Sequence, residues 1–199
     1  MKKIYTTGFT LVEVLISVFI IGIISTVAVV GFQSARQDDN LRLMTMRLAD
    51  ALRNAQNYAQ SGILTLSDES GTYKTFGAAN GYGVLLEKGP PPKIFLFVDN
   101  TNLSATPKED NTWSASSDSK LNDISLDIDR QGSIEISSIS IDGISVNDTD
   151  IVFKRPIAAV YFDGVQDKSK AVITLRNKLN SHEKIITIDR ITGRIDAEY

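Results

Sequence analysis

Between Glu13 and Arg36 the chain carries no charged side chain. The nineteen residues from Val14 to Phe32 are mostly apolar, about enough for a helix to cross the hydrocarbon core of a bilayer. This run dictates an anchor, and whatever else the chain builds must follow it. Glu13 is the one charge in the longer apolar stretch from Gly8 to Phe32. A carboxylate in or near lipid is costly and usually has a partner. A bland account lets Glu13 snorkel to the headgroups, four residues from the helix start; a functional account gives it a partner. Lys2 and Lys3 precede the run. Positive residues stay cytoplasmic, so the orientation expected is a single pass with the C-terminal part outside the inner membrane.

The 199 residues fit one folded domain plus this anchor. There is no cysteine, which excludes disulfides and thiolate zinc sites. The net charge of −3 argues against wholesale nucleic-acid binding. Its distribution is uneven. Residues 62–150 hold six Lys/Arg against fourteen Asp/Glu, a net of −8, whereas residues 151–199 hold nine against six, a net of +3. That split means either faces that meet complementary surfaces of neighbouring subunits or scattered solvated charge on strand exteriors.

A secretory signal peptide has a short apolar core with a cleavage site behind it. Here a basic leader, Met1 to Thr7, comes first, then Gly8, and only then the apolar run. The sequence Gly8-Phe9-Thr10-Leu11-Val12-Glu13 resembles the class III signal of type IV pilins and type II secretion pseudopilins. The resemblance implies cleavage between Gly8 and Phe9 by a prepilin peptidase and N-methylation of Phe9. It also implies a pairing of Glu13 in one subunit with the new α-amine of Phe9 in a neighbour. An α-amine is largely protonated at neutral pH, and opposite charges attract far more strongly in a medium of low dielectric. The implied partners are other pilin or pseudopilin subunits, the prepilin peptidase, the inner-membrane assembly platform and membrane lipid.

The helix is expected to continue past Phe32. No proline interrupts Gln33–Gln60, and Leu41, Met44, Leu48, Leu52, Ala55 and Ala59 recur at spacings of three and four. This stripe packs on a following domain or, less favourably, forms a short coiled-coil seam. Asp38 and Arg42 are spaced for an i,i+4 pair. Ser61-Gly62 reads as the stop, giving a helix roughly 80 Å long at about 1.5 Å per residue. Gly22 and Gly31 are its weak points. Many major pilins carry a proline near the membrane surface, whereas this chain has Val30.

After Gly62 the periodicity becomes two. Strands are expected at Tyr82–Leu86, Ile94–Val98, Leu121–Asp129, Ile134–Ile141, Ile151–Phe153, Ala158–Phe162, Ala171–Arg176, Lys184–Asp189 and Arg194–Ala197. The wholly apolar Ile94–Val98 fits a strand buried on both faces. Ile134 and Ile136 are out of phase with Ile139 and Ile141, so Ser137-Ser138 reads as a bulge or register change. Asp142-Gly143 is a hairpin signal. The fold class expected is α+β: a long N-terminal α-helix packed on an antiparallel β-sandwich-like domain. The expected divisions are a leader over 1–8, a transmembrane and assembly helix over 9–32, its amphipathic continuation over 33–61, and the globular domain over 62–199. Tyr82-Gly83-Val84, Phe153 to Pro156, Ala158 to Phe162 with Gly164, and Ile185 to Ile195 with its Thr192-Gly193-Arg194 resemble the GspH/FimT group of minor pseudopilins and pilins.

Candidate sites beyond the signal are few. Asp99, Asn100, Asn102, Glu109 and Asp110 offer oxygen ligands suited to calcium, which some pseudopilins bind. Asp99, Asn102 and Asp110 are the calcium candidates, although the spacing does not fit an EF-hand and such residues are ordinary turn formers. Arg190 and Arg194 flank the last turn, and some FimT-like pilins bind DNA in this region. Asp189, Asp196 and Glu198 interrupt the positive charge here and disfavour DNA. His182, the sole histidine, lies in a polar turn, and Trp113 either contacts a partner or caps the sandwich. No nucleophile elbow or phosphate loop is present, so no enzyme is indicated. The function expected is a structural subunit, minor within its class, of a type IV pilus or secretion pseudopilus. The alternative is a pilin-anchored module that binds DNA, calcium or a surface ligand.

Overall fold

The computed structural model describes residues 10–62, 65–67, 73–75, 79–89, 92–100, 111–113, 118–124 and 133–198. One helix, α1 (Leu11–Ser61), runs unbroken through Gly22 and Gly31. Thr10 caps its start, and Gly62 ends it in the left-handed region at φ 65°, donating its N–H to the Tyr58 carbonyl at 3.1 Å. A β-carbon makes that conformation unfavourable, which is why a glycine stands there.

The two halves of α1 meet different surroundings. Leu11 to Val29 is exposed on every side, with Phe19 70% and Phe32 71% accessible. From Leu41 onward one face is fully covered: Leu41, Met44, Leu48, Leu52, Ala55 and Ala59 are all buried, joined by Thr45 and Ala49. The expected stripe is therefore the domain-facing seam, and its periodicity follows from 3.6 residues per turn. Tyr58 adds an edge-on contact with Tyr82 at 5.7 Å between ring centres.

Twelve strands follow among the described residues: β1 (Thr65–Ser67), β2 (Tyr73–Thr75), β3 (Ala79–Glu87), β4 (Lys93–Asn100), β5 (Ser119–Asp123), β6 (Ile134–Ile141), β7 (Ile144–Val146), β8 (Asp148–Lys154), β9 (Ala159–Phe162), β10 (Lys170–Asn177), β11 (Glu183–Asp189) and β12 (Ile195–Ala197). All pairings between them are antiparallel. β1 and β2 form a small ribbon that the sequence pattern did not suggest. The others make two five-stranded sheets, ordered β5-β4-β3-β8-β9 and β12-β11-β10-β6-β7. The helix touches β3 and β8 of the first sheet and β10, β11 and β12 of the second. Helix and both sheets share one apolar core. The architecture is the α+β arrangement expected, a long helix packed on antiparallel sheets.

Each sheet takes strands from both the acidic stretch 62–150 and the basic stretch 151–199. The charge asymmetry therefore does not divide the molecule sheet from sheet. The bulge at Ser137 is present: Ser138 pairs with Thr174 and Ile136 with Leu175, so Ser137 is skipped. That one extra residue lets Ile134, Ile136, Ile139 and Ile141 all reach the core. Asp142 (φ 50°) and Gly143 (φ 81°) make the tight turn between β6 and β7. β4 is buried on both faces, with Ile94, Leu96 and Val98 in the main core and Phe95 and Phe97 in a second cluster outside it. Trp113 covers that outer cluster, its ring centre 4.8 Å from Phe95 and 5.2 Å from Phe97.

The sequence pattern differs from the structure at two further places. β4 runs through Asp99 and Asn100, where an irregular stretch is expected, and residues 101–110 lie outside the described residues. Asp38, spaced for Arg42, is met instead by a distant turn: His182 Nδ1 lies 2.6 Å and Asn180 Nδ2 2.8 Å from its Oδ1. A tertiary contact with two donors wins over a solvated pair on one helix face.

Candidate functional site

The described part of the candidate assembly site is the first turn of α1. Thr10 has extended backbone angles, its Oγ1 accepts the Glu13 N–H at 3.3 Å, and its carbonyl accepts the N–H groups of Glu13 and Val14. Thr10 and Glu13 thus occupy the N-cap and N3 positions of a Thr-x-x-Glu capping sequence. This is a helix-start signal that the apolar pattern alone concealed. A carboxylate in the first turn also faces the positive end of the helix dipole. Gly8 and Phe9, the expected processing residues, lie outside the described residues.

Farther along the apolar half, hydroxyls are satisfied within the helix. Ser17 Oγ donates to the Glu13 carbonyl at 2.7 Å and Thr26 Oγ1 to the Gly22 carbonyl at 2.9 Å. Such back-bonding suits a helix surrounded by lipid, which offers no other acceptor. Among the described residues, α1 is one helix long and apolar enough to cross a membrane. Glu13 is exposed at its end, so its carboxylate is accessible to another molecule.

At the other candidate positions the chain is less permissive. Asp99 is buried within β4, and Asn102 and Asp110 lie outside the described residues. Among the described residues no group of three or more acidic or histidine side chains is placed to hold a metal ion. Arg190 and Arg194 flank the turn between β11 and β12, but they are not alike. Arg194 Nε is 2.7 Å from Asp196 Oδ1 in an exposed pair, whereas Arg190 lines a cleft beside the helix. His182 forms part of the turn that holds Asp38, and Asn177 of the same turn donates to the Gln37 carbonyl at 3.1 Å.

One titrating group stands out that sequence spacing did not reveal. Asp150 of β8 accepts the Trp113 N–H at 2.7 Å, yet its other oxygen is buried with no hydrogen-bond partner. Burial pushes its carboxyl up from the ordinary 3.8 to about 6; the Trp113 N–H opposes this, and Asp163, Asp148 and Asp118 add to it. Asp148 lies two residues away on the same strand, whereas Trp113, Asp163 and Asp118 come from elsewhere in the chain, beyond the reach of local periodicity.

Residues 5–29 match the family described as the prokaryotic N-terminal methylation motif. That motif is a structural signal, not the mark of an enzyme family. No curated protein matches the chain, and no solved structure does. The matched span covers the leader boundary, Glu13 and most of the exposed apolar half of α1, and it supports a pilin-like or pseudopilin protein anchored in a membrane by this helix.

Proposed function

We propose that the chain is a structural subunit, minor in its filament, of a type IV pilus or a type II secretion pseudopilus. The observation that carries this is the methylation motif over residues 5–29 on a helix exposed in its apolar half and packed on the domain in the other. A prepilin peptidase removes Met1–Gly8 and the new N-terminus at Phe9 is methylated. The protein then waits in the inner membrane, N-terminus cytoplasmic and globular part outside, until its helix joins a neighbour. Glu13 pairs with the α-amine of that neighbour, which offsets the cost of a carboxylate in the apolar filament core. The minor role is supported by the likeness of the strands after Tyr82 to the GspH/FimT group. Mass spectrometry of the native protein tests the reading. The expected mass lacks Met1–Gly8 and carries one methyl group on Phe9. A leader retained in cells with an active prepilin peptidase would overturn it.

A further inference from the structure

The cleft that holds Arg190 has a volume of about 400 Å³ and lies where three elements meet: the end of α1, the β8–β9 turn and the β11–β12 turn. The helix fixes the last of these. Gln56 Nε2 donates to the Gly193 carbonyl at 2.8 Å, and an Arg53 nitrogen reaches the Ile195 carbonyl at 3.4 Å. The turn is closed internally by Asp189, whose Oδ1 accepts the N–H of Thr192 at 2.7 Å and its hydroxyl at 2.8 Å. One oxygen of the neighbouring carboxylate is thus taken by the turn. Arg190 keeps a buried Nε that has no hydrogen-bond partner among the described residues, although, after the Thr192 hydrogen bonds, its charge helps to hold the adjacent Asp189 carboxyl below the ordinary range. A buried guanidinium N–H without an acceptor is costly. The rim carries the opposite anomaly: Ile157 is 79% and Ile191 74% exposed. Gln60 and Gln166 complete the wall with neutral amides.

We propose that this cleft docks a segment of another protein that presents one carboxylate between apolar side chains. The carboxylate meets Arg190, the flanking side chains cover Ile157 and Ile191, and the glutamine amides hydrogen-bond the segment's backbone. The chemistry favours a peptide over a nucleic acid. A strand of DNA needs a row of cations and stacking surfaces, whereas among the described residues lining the cleft Arg190 is the one cation and no aromatic ring is present, and Arg194 is paired with Asp196. The docking needs neither cleavage of the leader nor filament growth, so it stands or falls apart from the assembly role.

The test uses the full chain in detergent micelles and the peptide acetyl-Ser-Ile-Glu-Ile-Ser-amide, with binding followed by saturation-transfer NMR against protein-free micelles. Saturable binding is expected. Replacing the peptide's Glu by Gln, or making Arg190→Gln or Ile157→Glu in the protein, should each weaken it at least about tenfold. Arg190→Gln should add no further loss for the Gln peptide. Thermal melts check that both variants fold; should Arg190→Gln fail to fold, Ile157→Glu and the Gln peptide decide alone. Absence of saturable binding, or equal binding of the Glu and Gln peptides, would overturn the proposal. So would a twenty-nucleotide single strand that displaces the peptide and binds more tightly, since that assigns the cation to phosphate.

Discussion

Gly83 of β3 and Phe97 of β4 sit directly opposite each other, and the Phe97 ring occupies the space a side chain at Gly83 would need. A β-carbon there would lie 2.5 Å from Phe97 Cζ and 3.0 Å from a Val152 methyl on the other side. Phe97 cannot retreat, because it is fully buried and Trp113 closes over it. Gly83→Ala should therefore cost about 1–3 kcal/mol of stability, read by urea unfolding of the full chain in micelles. Gly22→Ala, where an added β-carbon meets nothing within 4 Å, should cost nothing in the same assay, since alanine is the better helix former.

The seam between α1 and the sheets should dominate the stability of the folded part. Leu48 is completely buried there, whereas Leu43, five residues earlier, is 47% exposed. Leu48→Ala should cost about 2–5 kcal/mol and Leu43→Ala no more than about 0.5 kcal/mol. Equal losses from the two would show that the helix does not pack by this face.

Asp150 should give the protein a pH dependence of a particular sign. Its folded pKa of about 6 lies above the ordinary 3.8. Between those values the folded state holds a proton that the unfolded chain has lost, so this group's contribution to stability falls as pH rises through the window and stays low above it. Asp150→Asn keeps an acceptor for the Trp113 N–H and removes the buried charge. The substitution should raise stability at pH 7 by about 1–2 kcal/mol and leave it unimproved at pH 4. Unfolding midpoints at the two pH values measure the difference; a variant less stable than wild type at pH 7 would show that the charge itself is needed.

Glu13 separates insertion from assembly. Glu13→Ala leaves the apolar run and Thr10 in place, so membrane fractionation should find it inserted as before. Its incorporation into filaments should fall severely, because the pairing with a neighbour's α-amine is lost. Immunoblots of sheared filaments give the answer, and normal incorporation of the variant would remove Glu13 from the assembly step.

The parts of this molecule that could be read from its residues are those governed by short-range regularity. The spacing from Leu41 to Ala59 gave the seam because one helical face must repeat every three or four residues. The broken phase between Ile136 and Ile139 gave the bulge, because four isoleucines can reach one core only if a residue is skipped. Asp142-Gly143 gave a turn because both positions need positive φ. Long-range juxtapositions were not legible. Trp113 finds Phe95 and Asp150, Asp38 finds His182 144 positions away, and the Arg190 side chain comes to line a cleft with the end of α1. Of the candidate assembly site, Glu13 stood out as the one charge in the apolar run and its motif as a family resemblance of Gly8 to Glu13, while the cap at Thr10 shows only in the backbone angles of the helix start.

The unbroken course of α1 has a mechanical consequence. With no proline or interrupted turn between Leu11 and Ser61, the anchor and the seam form a single stiff rod. A pull on the globular part is then borne along the Leu41–Ala59 contact, roughly 27 Å of it at 1.5 Å per residue, as shear spread over many side chains rather than as peeling of one turn at a time. The turn that holds Gln37 and Asp38 guards the end of that contact nearest the anchor, where a sideways tug would first open it. Such a joint ties the heading of the sheets to the heading of the rod.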